Sequence, residues 1–431
     1  MKKILFIAHY FPPIGGAGVQ RSVKFVKHLP SCGVLPVVLT GPGTSTGKWT
    51  PADHSLIADI PPEVPVYRTA APSVSESSRS ARALAYRSAL ARLGDTIIAE
   101  HRPEAIFVTM SPFDHAIVAR ELSQRHGLPW LADLRDPWAL DEFQVYPSRW
   151  HRMQAQRSMR QALESASSVI MNTPVAMRKF RTTFPELADR AQVSITNGFD
   201  ADDFVGETRE LHPGKFTIVH SGYFHAELGL RQRRRSLEYR LLGRTEPGVE
   251  FLPRSHYYLI KALEHLQSTA PSVADRIRVI CLGSANEVDA DLVRNSTVQD
   301  MFEFTGYLPH AESIRHVRGA SLLFLPMHKM PAGQAASIVP GKTYEYLASG
   351  RPILAAVPPG DALDFVKACP HGRLCEPDDV RGMARAIEDV VATWAAGGQT
   401  QPLPPPEPPS RFERRTLTEQ LAQHLCSVLT K

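Results

Sequence analysis

The stretch that decides the reading of this chain is Pro340 to Pro352, PGKTYEYLASGRP. It opens with Pro-Gly-Lys, sets Glu345 one turn later, and closes with Gly350-Arg351-Pro352 ahead of a strand-like run, Ile353 to Val357. Proline suits a helix start and glycine a helix end, so these residues predict a short helix running straight into a strand. The first turn of such a helix carries free backbone N–H groups and a partial positive charge, which suit a diphosphate. Lys342 adds a cation to that turn, beside Gly341. Glu345 can accept two hydroxyl hydrogen bonds, as a ribose or a sugar requires. An ordinary helix–turn–strand with Glu345 in solvent fits the same residues, so the surrounding chain has to decide.

Outward from this helix, short apolar runs recur with helical stretches between them. In the first half they are Ile4–Ala8, Pro36–Thr40, Val64–Arg68, Ala105–Thr109, Leu128–Asp133, Ser168–Asn172 and Val193–Thr196. In the second half they are Phe216–Ser221, Ile277–Gly283, Phe302–Gly306, Ser321–Met327, Ile353–Val357 and Gly372–Cys375. Continuous apolar runs flanked by helices indicate parallel strands buried on both faces. Two such series predict an α/β protein of two doubly wound domains, with ligands bound beyond the carboxyl ends of the strands, in a cleft. The turn-rich NGFDADDF, Asn197 to Phe204, sets the boundary: residues 1–204, then 205–400. QPLPPPEPPS is a proline-rich connector, and residues 401–431 end in a helix with Leu417, Leu421, Leu425 and Leu429 at helical spacing, returning to the first domain.

The 431 residues are 43% hydrophobic and 22% charged, ordinary values for a globular chain, and the formal charge is +5. Five cysteines with no C-x-x-C pair argue against a disulfide framework or a zinc site and for a reducing cytoplasm. MKKILFIAHYF reads as a first strand, not a signal peptide, and no segment approaches the roughly 18 apolar residues of a membrane span.

Several segments carry candidate chemistry. Gly15, Gly16 and Gly18 in HYFPPIGGAGVQR form a glycine-rich loop entering a helix, which lets backbone approach a phosphate; the spacing is not that of a dinucleotide fold. LADLRDPWALDEF puts Asp133, Arg135, Asp136 and Trp138 where a strand meets a loop, placed for catalysis on an acceptor hydroxyl or for a structural ion pair. Ser111 and His115 follow the fourth strand, His115 reading first as a helix residue. Asp200, Asp202 and Asp203 read as a solvated turn, not a metal site. LRQRRRSLEYRLLGR, with Arg231 at its start, fits a solvated loop as well as it fits the two functional readings together, an anionic membrane surface or a phosphate clamp. No aromatic-interleaved basic motif points to nucleic acid.

Taken in order, HYFPPIGGAGVQR, LADLRDPW, ITNGFDADDF, HSGYF, FTGYLPHAESIRHVRGASLLFLPM and PGKTYEYLASGRPILA resemble a GT-B glycosyltransferase of the retaining family 4 type, over nearly the whole chain. The resemblance implies that Glu345 binds the donor ribose and shares in catalysis with Asp133 and Asp136. It implies donor contacts from Gly15, Gly16, Gly18, Ser221, Gly222, Arg231, Ser337, Gly341 and Lys342, and a nucleotide-base loop at Tyr307 and Leu308. Ser111, His115, Arg135 and Trp138 then form the acceptor-side wall. It further implies a nucleotide-sugar donor, no metal or other cofactor, and transfer to a glycan, glycolipid or lipid-linked acceptor in surface polysaccharide synthesis. The chain departs from the pattern in three places. Ser337 stands where a first glutamate is usual. Tyr223 and Leu228 replace an arginine and a lysine, which Arg231 or Lys342 would have to supply. Met110-Ser111-Pro112 stands where many members have a histidine. A nucleotide-sugar epimerase of the same fold, or a non-catalytic nucleotide-sugar or lipid-binding protein, is the alternative. The location implied is cytoplasmic, including the inner face of the cell membrane.

Overall fold

The computed structural model describes residues 1–44, 52–70, 79–397 and 410–430. The chain forms two compact units: Met1–Asp141 with Met153–Asp200 and Arg411–Lys431, and Glu142–Arg152 with Ala201–Ser410.

The first unit contains β1 (Lys2–Ala8), α1 (Ala17–His28), β2 (Val34–Thr40), β3 (Val66–Arg68), α2 (Arg79–His101), β4 (Ala105–Met110), α3 (His115–His126), β5 (Trp130–Leu134), the part of α4 (Arg149–Leu163) from Met153 on, β6 (Ser168–Met171), α5 (Pro174–Thr183) and β7 (Val193–Ser194). The strands form a seven-stranded sheet in the order β3-β2-β1-β4-β5-β6-β7. Pairing is parallel throughout, with Ala8 opposite both Thr40 and Thr109. The apolar runs are continuous because both faces of this sheet are covered: Ile4 to Ala8, Ile106 to Val108 and Trp130 to Ala132 are all buried. α5 shows local sequence control, with Thr173 accepting from the Ala176 N–H and Pro174 opening the first turn.

The second unit contains β8 (Phe216–Ser221), α6 (Ala226–Arg234), α7 (Ser236–Leu242), α8 (Tyr257–Thr269), α9 (Pro271–Ala274), β9 (Ile277–Leu282), α10 (Glu287–Arg294), β10 (Phe302–Gly306), α11 (His310–Gly319), β11 (Leu322–Pro326), α12 (Lys342–Ser349), β12 (Ile353–Ala356), α13 (Asp361–Lys367), β13 (Gly372–Cys375) and α14 (Val380–Ala395). Its sheet is six-stranded, β10-β9-β8-β11-β12-β13, again parallel. Thirteen apolar runs read from the sequence thus correspond to the thirteen strands among the described residues, with ends shifted by a residue or two. α12 starts after Pro340-Gly341 and stops at Gly350, whose φ of 67° places it in the left-handed region that favours glycine. Tyr344, Tyr346 and Leu347 are its buried face.

A last helix, α15 (Arg414–Leu429), belongs to the first unit and packs on α1. Leu417, Leu421 and Leu425 are buried there, each burial contributing about 1.5–3 kcal/mol. The segment before it is pinned by Phe199 N–H to Phe412 O at 3.0 Å and Arg414 N–H to Phe199 O at 2.8 Å. A Cβ at Gly198 would lie 2.1 Å from the Phe412 carbonyl oxygen, so this close approach admits only glycine. The proline-rich connector lies outside the described residues, apart from Ser410.

Two expectations from the sequence change. Residues 142–152 go with the second unit rather than the first. Their partners explain it: Tyr146 N–H bonds Arg244 O at 2.8 Å, and Phe143 packs against Phe251 with ring centres 4.6 Å apart. Asp200 is not a solvated turn residue. It is buried and holds Lys24 at 2.6 Å and Lys27 at 2.9 Å, and these ammonium groups press its carboxyl far below the usual range against the cost of burial. Among the described residues, no helix is long and apolar enough to cross a membrane.

Candidate active site

The second unit gathers its functional side chains at the carboxyl end of β8. Lys342, in the first turn of α12, brings its Nζ to 3.0 Å from His220 Nε2. His220 Nδ1 lies 3.0 Å from the Phe324 carbonyl, which can only accept. The proton therefore sits on Nδ1, and Nε2 accepts from Lys342. Gly222, at φ 109°, makes room for the ammonium, since a Cβ there would stand 2.9 Å from Lys342 Nζ. Ser221 N–H donates to the Tyr346 hydroxyl at 2.9 Å and Gly222 N–H to Leu282 O at 2.7 Å, so the Ser221–Gly222 turn is locked to α12 and β9.

A second cation completes the cluster. Burial, and then the charge of Arg254, lower the Lys342 pKa to about 7, with Glu345 pulling the other way. His225 is driven to about 3 by burial, Arg254, Lys342 and His328. The Arg254 guanidinium also stands 4.5 Å from the Phe143 ring centre. Two cations crowded among neutral histidines, with Glu345 half-buried one turn along α12, form a locus that gains from an anion. Arg254 escaped the sequence reading. Arg231, which that reading offered as the cation, is exposed on α6, and its charge is not among those acting on Lys342.

Position 337 brings a second finding. Ser337 is fully buried, and it holds the carboxylate of Glu142. Ser337 N–H donates to Glu142 Oε1 at 2.7 Å, the Ser337 hydroxyl donates to Oε2, and Ile338 N–H reaches Oε1 at 3.2 Å. A carboxylate does stand at this position, but it arrives from a residue 195 places earlier. Gly341 has open space around it, suited to backbone approach. On β10, Gly306 takes φ 73° and accepts from Gly283 N–H at 2.8 Å, leaving Tyr307 exposed and Leu308 half-buried.

In the first unit the glycine loop opens α1, with Gly16 at φ 91°. Gly15 is buried behind it. Gly18 lies under Arg135: the guanidinium donates to Gly18 O, and a Cβ at Gly18 would come within 2.4 Å of Arg135 Nη1. Arg135 also sits 5.5 Å from the Tyr10 ring centre. Asp133, expected from the sequence to be catalytic, stands in a buried ion pair. Asp133 is fully buried, and both its oxygens are taken by Arg21, Nη2 to Oδ1 at 2.6 Å and Nε to Oδ2 at 2.9 Å. Arg21 donates further to Thr196 O and Ile195 O, so the pair clamps α1 and the end of the sheet. Asp136 is the accessible carboxylate of the motif, half-exposed and 3.3 Å from Arg135 Nε. Trp138 adopts φ 54°, a strained conformation for a bulky residue, and stacks on Phe113 with ring centres 4.6 Å apart.

His115 begins α3, buried, its Nδ1 3.1 Å from Pro112 O, in the turn that follows Ser111. Its ring lies 5.4 Å from that of His9, a residue the sequence reading passed over. His9 follows β1 and bonds the Tyr86 hydroxyl at 2.7 Å. Burial and then Arg135 lower His9 to about 4; burial and then His9 lower His115 to about 3. Both imidazoles are therefore neutral at pH 7, hydrogen-bonding groups at the carboxyl ends of β1 and β4. Among the described residues, no group of three or more His, Cys, Asp or Glu is disposed to hold a metal ion.

Comparison with known proteins bears on the family and the fold. Residues 15–198 match the glycosyl transferase 4-like domain and residues 247–393 match glycosyl transferases group 1. No curated protein sequence matches the chain. Among solved structures, HepE of Anabaena in complex with UDP and glucose superposes with a TM-score of 0.60 at 18% identity, covering 99% of this chain and 100% of that one. Sucrose-phosphate synthase of Thermosynechococcus elongatus gives 0.65 at 16%, covering 100% of each chain. A putative UDP-N-acetylglucosamine 2-epimerase of Listeria monocytogenes gives 0.57 at 12%, covering 99% of this chain and 96% of that one. At such identities the likeness establishes the fold. With both domain matches in sequence order on two parallel Rossmann-like sheets, the chain belongs to the GT-B glycosyltransferases built from a glycosyl transferase 4-like domain and a group 1 domain.

Proposed function

We propose that this glycosyltransferase takes its sugar from a nucleotide-sugar donor, passes it with retention and without a metal to a hydroxyl of a glycan, glycolipid or lipid-linked acceptor, and serves surface polysaccharide synthesis in the cytoplasm. The observation that carries the reading is Lys342 set against Gly222, with the charge of Arg254 acting on it and Glu345 one turn away. That grouping matches a nucleoside diphosphate: positive charge and backbone N–H groups for the phosphates, a carboxylate for the ribose hydroxyls. Tyr307 and Leu308 take the base. As the glycosidic bond breaks, negative charge develops on the leaving diphosphate, and the two cations and the α12 N-terminus stabilise it where another fold would use a metal. The solved structures of HepE with UDP and glucose and with UDP-glucose support a donor of this class. In the first unit, Asp136, Arg135, His9 and Trp138 offer the groups for an acceptor hydroxyl.

A thermal-shift screen of UDP-, GDP- and dTDP-sugars tests the donor, because a ligand that binds the folded state raises its melting temperature by mass action. One nucleotide class should raise it, and the rise should vanish in Lys342→Ala. A flat response to all of them contradicts the reading. Conversion of the sugar with no acceptor present would give the chain to the epimerase alternative.

A further inference from the structure

The insertion after β8 builds an exposed surface with a character of its own. α6 is fixed to the body of the second unit. A Cβ on Gly229 would lie 2.3 Å from Leu252 Cα, and the Gln232 side-chain amide bonds Val249 O at 2.7 Å and Phe251 N–H at 3.0 Å. α7 turns its Tyr239 inward, where Arg244 covers the ring at 5.0 Å. Its opposite side is bare. Leu237 is 60% exposed, Leu241 75% and Leu242 46%. Leu237 and Leu241 are four residues apart and so share one helix face. α7 ends at Gly243, whose added Cβ would touch Arg149 at 3.0 Å, so Trp150, itself 60% exposed, stands at the same corner.

Arginines surround this apolar face. Arg235 and Arg244 are answered by Glu238, and Arg233 by Glu250 and Tyr258. Arg231, Arg234 and Arg240 are exposed, and among the described residues no acid stands within ion-pair distance of them. Exposed leucines and a tryptophan beside unpaired guanidinium groups complement a bilayer surface. The apolar side chains enter the acyl boundary, tryptophan sits at the headgroup level, and guanidinium groups bind phosphates in two-pronged fashion. At nine and seven residues, α6 and α7 lie on such a surface and do not cross it.

We propose that α7, with the Trp150 corner and the arginines of α6 and α7, docks the second unit on an anionic phospholipid bilayer. The proposal does not depend on the donor reading. The full chain is floated with vesicles of phosphatidylcholine alone and with vesicles containing about 30% phosphatidylglycerol. It should rise with the second and stay behind with the first, and added salt should release it. Leu237→Ser with Leu241→Ser should lower partition roughly tenfold or more, from the apolar area withdrawn. Arg234→Gln with Arg240→Gln should lower it about fivefold per arginine. Both variants should keep the wild-type melting temperature and response to nucleotide sugars, which separates loss of docking from loss of fold or of donor binding. No binding to either vesicle, equal binding to both, or binding unchanged by the leucine variant overturns the proposal. Self-association without lipid that the leucine variant abolishes overturns it too, since it assigns the face to a second copy; so does capture of an acidic protein in preference to vesicles.

Discussion

Lys342 links donor binding to pH. Burial and Arg254 bring this lysine from 10.5 to about 7, so in the free protein at pH 8 roughly one tenth of the molecules carry the charge. A diphosphate set against Nζ favours the ammonium, so binding at pH 8 draws in a proton. If the bound pKa returns toward its ordinary value, uptake approaches 0.9 proton per site, and affinity at pH 8 is about tenfold weaker than at a pH where the group is already charged. The sign is fixed by the direction of the shift: affinity is full below pH 7 and declines as pH rises from there toward the bound-state pKa. Calorimetric titration of the nucleotide sugar in two buffers of unlike ionisation enthalpy reads the uptake directly, since the diphosphate diester has no proton to give at this pH. Lys342→Arg keeps the positive charge but not a titrating group, and its uptake should fall to near zero. Identical heats in both buffers for the wild type would refute the reasoning. So would uptake that persists in Lys342→Arg.

Three further outcomes follow from the same contacts. Asp133→Asn should destabilise the first unit by about 3–5 kcal/mol by stranding the buried Arg21, and Arg21→Met with Asp133→Leu should recover much of that in denaturant titration; unchanged stability with lost turnover would return Asp133 to catalysis. Glu142→Gln should weaken the anchor of the segment leading into α12, costing roughly 1–3 kcal/mol of stability together with donor affinity; a variant that binds donor as well as wild type contradicts this. The buried histidines His9, His115, His220, His225 and His256 all have lowered pKa values, so the unfolded chain takes up protons that the folded one refuses below about 6.5. Stability is full above that value and is lost as pH falls from 6.5 toward 4, by up to about 1.4 kcal/mol per pH unit for each group; a melting temperature flat between pH 6.5 and 5 would contradict it.

What could be read in the sequence was local. Strands buried on both faces leave continuous apolar runs, and all thirteen were visible. α12 was legible because Pro340, Gly341, Gly350 and Pro352 punctuate it, and Lys342 and Glu345 inherit their places from that helix. What escaped depends on pairing across distance. Asp133 looks the same at a strand end whether it faces substrate or an arginine 112 positions away. Glu142 comes to Ser337 from another part of the chain, and no periodicity records that. Arg254 becomes a candidate ligand only once the insertion of α6 and α7 folds back on Val249 to Phe251 and brings the next turn to Lys342. His9 did leave a signal, as the first polar residue beyond β1, and it was overshadowed by the glycines after it.

The central claim is sugar transfer from a nucleotide donor held on α12, and its most direct measurement is release of nucleoside diphosphate from the donor that the thermal-shift screen selects. The assay is run with a panel of glycan and lipid-linked acceptors, on wild type and on Glu345→Ala verified to keep its melting temperature. The account predicts acceptor-dependent release by the wild type and its loss, by two orders of magnitude or about 2.7 kcal/mol of transition-state stabilisation, in Glu345→Ala. Release that Glu345→Ala leaves intact, or donor binding with no release over the whole panel, would contradict it.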